Sequence, residues 1–165
     1  MRHDTAPHVA LPSAKGLAFA VVVSRFNPAI TGKLRVGAQE ALESAGAGTV
    51  EVIEVPGAFE LPLAAHVAAG TGRFDAVVAL GCLVRGETPH FDYISSSVAH
   101  ALQQAALATG VPTAFGVLTV DSMDQAEARA LPDHTNKGYE AAAAAIEMVH
   151  VLRRLSRAAV PPLRA

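Results

Sequence analysis

The densest chemistry in this sequence lies in six consecutive residues, Arg85-Gly86-Glu87-Thr88-Pro89-His90. Gly86 lets the backbone approach a ligand closely, and the amides around Glu87 and Thr88 can form an anion-binding nest. The Thr88 hydroxyl adds a donor, and the start of the helix that follows favours negative charge. His90 contributes an imidazole, the side chain whose ordinary titration range suits proton transfer near neutrality. This run therefore offers an oxyanion pocket beside a proton shuttle. A His90 that only caps a helix is the weaker alternative, given Arg85 and Thr88 beside it.

Two phenylalanines stand in comparable settings. Phe26 lies in Ser24-Arg25-Phe26-Asn27-Pro28, where an apolar run ends, and offers a flat face to a planar ligand. Packing beneath its own helix is the commoner fate of such a lone aromatic. Val55-Pro56-Gly57-Ala58-Phe59-Glu60 puts a second aromatic and a carboxylate at a helix start, near the free amides of Gly57, Ala58 and Phe59. That arrangement suits a heterocycle bearing hydroxyls, with Glu60 accepting from them. A Glu60 that merely complements the helix dipole fits equally well. Neither a G-x-G-x-x-G nor a G-x-x-x-x-G-K-[ST] pattern follows the first apolar run, so the usual dinucleotide and triphosphate cradles are absent there.

Other candidates are individually weaker. Arg129 and Lys137 could each reach an anionic group or be plain solvated charges. Phe115 falls inside a strand pattern and suits either the core or the edge of a pocket. Cys82, with no activating histidine close in sequence, reads as a small buried residue rather than a nucleophile.

The elements that must position these residues alternate along the chain. Ala18–Ser24, Val50–Val55, Asp75–Val84 and Thr113–Val120 are apolar, β-branched runs of strand length. Between them, helical spacing marks Ile30–Ala45, Phe59–Ala69 and the stretch through Ile94, Val98, Ala101, Leu102 and Ala105. Pro62 is tolerable only in the first turn of the second of these. Ser122-Met123-Asp124-Gln125 fits a capping box, and Asn136–Arg157 is a long Ala-rich final helix. This order predicts an α/β fold, a three-layer α-β-α sandwich around a four-stranded parallel sheet. Ligands in such sheets sit beyond the carboxyl ends of the strands. Residues 1–16 read as a polar arm, 17–157 as one domain and 158–165 as a tail.

Composition narrows the function classes. A net charge of −2 gives no reason to expect a nucleic-acid or membrane partner. One cysteine rules out an intramolecular disulfide, and seven scattered histidines without H-E-x-x-H pairing predict no metal site. No leader-like or membrane-length apolar run is present, which points to the cytoplasm. Charged residues are only 17% of the chain, so part of its apolar surface is expected to be covered by other subunits.

The segments SRFN (24–27), VPGAFELP (55–62), GCLVRGETPHFDYIS (81–95), FGVLTVDSMDQAEAR (115–129) and NKGYEAA (136–142) together resemble the lumazine synthase family, in order and spacing, over roughly residues 16 to 155. The resemblance implies a flavodoxin-like strand order and condensation of 5-amino-6-(D-ribitylamino)uracil with 3,4-dihydroxy-2-butanone 4-phosphate. The products are 6,7-dimethyl-8-ribityllumazine, phosphate and water, and no cofactor is needed. By resemblance, Phe26 and Phe59 frame the pyrimidine, while Ala58 and Glu60 contact the ribityl chain. Cys82, Leu83 and Val84 line ring and chain through their backbone, and Gly86, Glu87 and Thr88 bind phosphate with Arg129 as cationic clamp. His90 matches the proton-transfer residue, and Phe115 and Lys137 match positions supplied by a neighbouring subunit.

The resemblance further implies a homopentamer, with the N-terminal segment able to add a strand to a neighbour's sheet. Many relatives assemble twelve pentamers into a sixty-subunit shell. Shell-forming relatives commonly carry a Gly- and Lys-containing turn before Asn-Lys-Gly, whereas this chain has Leu131-Pro132-Asp133-His134-Thr135. The shell therefore stays open. Two rival functions also stand at this stage: an archaeal-type riboflavin synthase, which would need no phosphate site, and a non-catalytic lumazine- or flavin-binding protein.

Overall fold

The computed structural model describes residues 10–157. Its elements alternate as the sequence predicts: β1 (Ala18–Ser24), α1 (Pro28–Ser44), β2 (Thr49–Val55), a 3-10 turn (Ala58–Glu60), α2 (Leu61–Gly70), β3 (Ala76–Val84), α3 (His90–Thr109), β4 (Thr113–Val120), α4 (Met123–Glu127) and α5 (Lys137–Arg157). The four strands form one all-parallel sheet in the order β2-β1-β3-β4. That is the flavodoxin-like arrangement, whose switch point falls between β1 and β3.

The apolar runs are continuous because both faces of the inner strands are covered. Period-two alternation sends Phe19, Val21 and Val23 of β1 into one core with Leu34, Ala38 and Leu42 of α1 and Ile146 and Val149 of α5. Ala20 and Val22 point the other way, packing with Leu61 and Ala65 of α2 and Val98 and Leu102 of α3. The β3 residues divide in the same way, Val78 and Leu80 to the first core and Val77 and Ala79 to the second.

Three helix starts differ from the sequence expectation by two residues or more, each for a local reason. The second helix opens with a 3-10 turn, and the regular helix begins only at Leu61, which leaves Pro62 in its first turn where no amide partner is required. The first helix starts at Pro28, whose fixed φ suits that position. The third starts at His90, four residues before the periodic apolar positions, so His90 is the first helical residue rather than a loop residue. The capping box forms, with Ser122 Oγ accepting from the Gln125 amide at 3.3 Å. The Gln125 side chain accepts from the Asp121 amide at 3.0 Å, one residue before the cap.

Residues 10–17 lie against the domain. The Ala14 amide donates to Ala45 O at 2.8 Å, Lys15 bridges Ala47, and a His150 ring nitrogen lies 2.8 Å from Ser13 O. Residues 1–9 of the expected arm and the tail at 158–165 lie outside the described residues. Among the described residues no helix is long and apolar enough to cross a membrane.

The turn before α5 hinges on Asn136, which is 1% exposed. Its Nδ2 donates to Lys33 O at 3.2 Å and Leu131 O at 3.0 Å, and its Oδ1 accepts from the Gly138 amide at 2.8 Å. One buried amide thus ties α1, the 131–135 turn and the start of α5 together, with its polar atoms satisfied. Gly138 is required at this crossing, because a Cβ there would lie 2.0 Å from Leu34 O. Gly138→Ala must push α5 away from α1, and we expect a loss of about 1–3 kcal/mol or more from overpacking. A lowered denaturation midpoint with unchanged far-ultraviolet circular dichroism would register it; an unchanged midpoint would contradict the close approach.

Candidate functional site

Parallel strands deliver their carboxyl ends to one side of the sheet, and a crevice of about 330 Å³ opens there. It is lined from β1 by Phe26 and Asn27, from the turn after β2 by Gly57, Ala58, Phe59 and Glu60, and from β3 by Cys82, Leu83 and Val84. Gly86, Thr88, His90, Phe91 and Ile94 complete it. Phe26 is 69% exposed and Phe59 60%, so neither packs beneath its own helix and both faces are free for a planar ligand. Glu87 is exposed and does not line the crevice.

The β1 end is held by a feature that the sequence reading passed over. Asn27 adopts a left-handed conformation (φ 54°), the one non-glycine residue to do so among those described. Its Nδ2 donates to Cys82 O at 2.9 Å, linking the ends of β1 and β3, and the Phe26 amide donates to Ser24 Oγ at 3.2 Å. This sharp exit turns Phe26 toward the crevice. The Asn-Pro pair ahead of a helix was the available signal. Phe91 and Ile94 were also missed as lining residues; they follow His90 at i+1 and i+4, on the first turns of α3.

The loop from Gly86 to Pro89 presents its polar groups outward. Among the described residues the amides of Gly86, Glu87 and Thr88 and the side chains of Thr88, His90 and Glu60 meet no hydrogen-bond partner within the chain. Gly57 leaves room for Glu60, whose Oε2 would lie 2.9 Å from a Cβ there. Arg85, at the mouth of the loop, is held by two aspartates: Nε lies 3.1 Å from Asp121, both terminal nitrogens lie 3.0 Å from Asp92, and its Cζ sits 4.3 Å from the Phe91 ring centroid. Hydrogen bonding to Asp92, then to Asp121, pushes the guanidinium pKa further up.

Phe115, Arg129 and Lys137 gather elsewhere. They line a second crevice of about 410 Å³ along the β4 edge, with Glu140, Ala141 and Ala144 of α5, and it shares no lining residue with the first. The Lys137 amide donates to Arg129 O at 2.9 Å, placing the two cationic residues side by side. Lys137 Nζ pairs with Glu140 at 2.6 Å, and Arg129 donates to Gln125 O at 2.9 Å. Glu140 was not singled out from the sequence, although its i+3 spacing from Lys137 marks the pair. Two cations against one carboxylate leave this crevice net positive. Among the described residues no group of three His, Cys, Asp or Glu side chains is placed to hold a metal ion.

Comparison with known proteins now adds to this geometry. A sequence-family model described as 6,7-dimethyl-8-ribityllumazine synthase matches residues 16–153. A curated relative from Syntrophus aciditrophicus (strain SB), named 6,7-dimethyl-8-ribityllumazine synthase, is 51% identical over 144 residues, covering 86% of this chain and 94% of that protein.

Cys82 lines the first crevice yet is 1% exposed, and burial pushes its thiol pKa up to about 11. A neutral thiol is neither nucleophile nor leaving group at neutral pH. In a disulfide-exchange assay near pH 8 the folded protein should label about 100-fold more slowly than the denatured chain, from thiolate fraction alone. Equal rates in the two states would contradict the buried, protonated thiol.

Proposed function

The chain belongs to the 6,7-dimethyl-8-ribityllumazine synthase family, and we propose that its first crevice, closed by the second crevice of a neighbouring copy, is the active site of that synthase. The activity is the transfer-type condensation of 5-amino-6-(D-ribitylamino)uracil with 3,4-dihydroxy-2-butanone 4-phosphate, a step of riboflavin biosynthesis. The carrying observation is that Phe26, Phe59, Glu60, Gly86, Thr88 and His90 line one cavity although they come from three separate strand ends. Family membership and the phosphate-type loop favour the synthase over a riboflavin synthase or a non-catalytic binding protein.

In this reading Phe26 and Phe59 frame the pyrimidine, and Glu60 with the backbone of Ala58, Cys82, Leu83 and Val84 binds the ring and ribityl hydroxyls. The free amides of Gly86, Glu87 and Thr88 donate to the phosphate oxygens. The amine attacks the ketone and loses water to form an imine. Loss of phosphate then gives an enol, which tautomerises to a ketone that the ribitylamino nitrogen attacks, closing the second ring with loss of a second water. Each step moves a proton or releases an anion, which an imidazole at His90 and a phosphate cradle can serve. Most of the acceleration comes from holding two substrates in reacting geometry, worth roughly 7–11 kcal/mol.

The first crevice supplies no free cation, since Arg85 is committed to two aspartates. The neighbour's Arg129 and Lys137 then neutralise the phosphate, and its Phe115 covers the pyrimidine. We assign Arg129 to the neighbour's side because it lines the same crevice as Phe115 and Lys137. The proposed assembly is a homopentamer of the 17–157 domain, working in the cytoplasm on small polar substrates. Sedimentation distinguishes the pentamer from a sixty-subunit shell, on which the 131–135 turn bears.

Following lumazine absorbance and phosphate release with both substrates present tests the activity itself; no product from the assembled protein would refute it. His90→Ala should slow turnover by about 10²–10⁴-fold without abolishing it, the usual share of general acid–base catalysis. Complete loss in an assembled variant would contradict that division of labour. Arg129→Ala should chiefly raise the KM for the phosphorylated ketone. When His90→Ala and Arg129→Ala subunits are unfolded together and reassembled, random pairing should restore roughly a quarter of the sites. No recovery in mixed oligomers would place His90 and Arg129 in the same protomer's site.

A further inference from the structure

Arg85 places a cation immediately before the phosphate loop, yet it does not line the crevice. Its Nε and both terminal nitrogens each bond a carboxylate from another element. Nε bonds Asp121 at the end of β4 (3.1 Å), and the two terminal nitrogens take Asp92 in the first turn of α3 with a fork of two 3.0 Å contacts. The guanidinium plane also covers the Phe91 ring, with Cζ 4.3 Å from its centroid. The Arg85 amide donates to Val120 O at 2.9 Å, fixing its own backbone to β4. On the far side, the Asp121 amide is held by Gln125 Oε1 at 3.0 Å, so the anchor is itself anchored.

We infer that Arg85 is a positioning residue of this active site: its grip on Asp92, Phe91 and Asp121 pins both ends of the Gly86–Pro89 loop, and so sets the oxyanion amides and His90 against the reacting centre. The inference rests on the reading of the first crevice given under Proposed function. Only residues 86–89 separate Arg85 from the helix that begins at His90, so a clamp from residue 85 to residues 91 and 92 encloses the whole loop. His90 adjoins Phe91, and among the described residues its side chain has no hydrogen bond to orient it. The loop amides likewise have no partner among the described residues. Their placement therefore depends on how the loop ends are held.

Stability is a poor explanation for the same cluster. The Arg85 side chain is 43% exposed and its partners Asp92 and Asp121 are 56% and 71% exposed. Pairs so accessible to water contribute little to global folding. A phosphate beside Arg85 would meet a guanidinium whose charge is already balanced by two carboxylates, and the residue does not line the crevice. A lysine at this position keeps the charge, but one ammonium cannot make the planar fork to Asp92 and the Nε bond to Asp121 together.

Steady-state kinetics of the wild type, Arg85→Ala, Arg85→Lys and Asp92→Asn, varying each substrate in turn, test this. Wild-type turnover checks the reading of the site; comparison among the variants checks the clamp alone. Arg85→Ala should lower kcat/KM for the phosphorylated ketone by about 10–100-fold, the scale of a misplaced catalytic group, and move the KM of the pyrimidine amine no more than about twofold. Arg85→Lys should fall with Arg85→Ala, Asp92→Asn should shift in the same direction, and the thermal midpoint of all three should stay within about 4 °C of wild type. Wild-type kinetics in Arg85→Lys would show that charge alone suffices and overturn the clamp. Unchanged kinetics in Arg85→Ala, or an equal rise in KM for both substrates, would overturn it too. If Arg85→Ala does not fold, the lysine and Asp92→Asn variants decide in the same way.

Discussion

A parallel strand cannot be joined to its neighbour by a tight turn, and every feature of this protein's site follows from that constraint. Each connection must cross a face of the sheet, so all the strand ends of one polarity open on the same side. Ser24, Val55 and Val84 end β1, β2 and β3 there, and the residues just after them build one crevice. The strand order β2-β1-β3-β4 puts β1 and β3 side by side, so Phe26 and the 82–90 segment become neighbours although they lie far apart in sequence. The Asn27 to Cys82 hydrogen bond closes that junction. The two cores on either side of the sheet serve the crevice indirectly by fixing the strands whose ends define it.

The same sheet leaves β4 at an edge, and the edge explains why the polar equipment falls into two parts. Arg129, Lys137 and Phe115 are carried by β4, the connection after it and the start of α5, away from the first crevice. A crevice rich in aromatic surface and free amides, but with its own arginine already neutralised, is complementary to a crevice with excess positive charge. In the proposed shared site, Arg129 and Lys137 stay apart from the 86–88 amides until two copies meet, and Lys137 keeps Glu140 as its partner within the chain. The close α1–α5 crossing at Gly138 and the satisfied Asn136 amide set where that cationic edge stands relative to the sheet.

Exposed charge plays a different part here from buried apolar surface. Folding rests on the apolar cores, because ion pairs as accessible as Arg85–Asp92 contribute little to it. What such pairs can supply is direction. A guanidinium fork has a plane and fixed donor angles, so it can orient a loop even where it stabilises the chain only slightly.

Much of this was legible in one dimension. The strands Ala18–Ser24 and Thr113–Val120 are readable to the residue, because runs of β-branched apolar residues bounded by polar or turn-forming ones have few alternatives. Types and local spacing also marked His90, the 86–88 loop, the two phenylalanines and Glu60, since a nest, an imidazole and a helix start are properties of consecutive residues. Helix starts were less legible: His90 proved helical and Ala58–Glu60 formed a 3-10 turn, both decided by how the chain leaves a strand rather than by periodicity. Three things belonged to the tertiary structure alone. These were the exposure of Phe26 and Phe59, the grouping of Arg129 with Lys137 and Phe115, and the capture of Arg85 by Asp92 and Asp121. Each depends on distances between segments that sequence does not encode locally, because the sheet order, not chain separation, determines which strand ends meet.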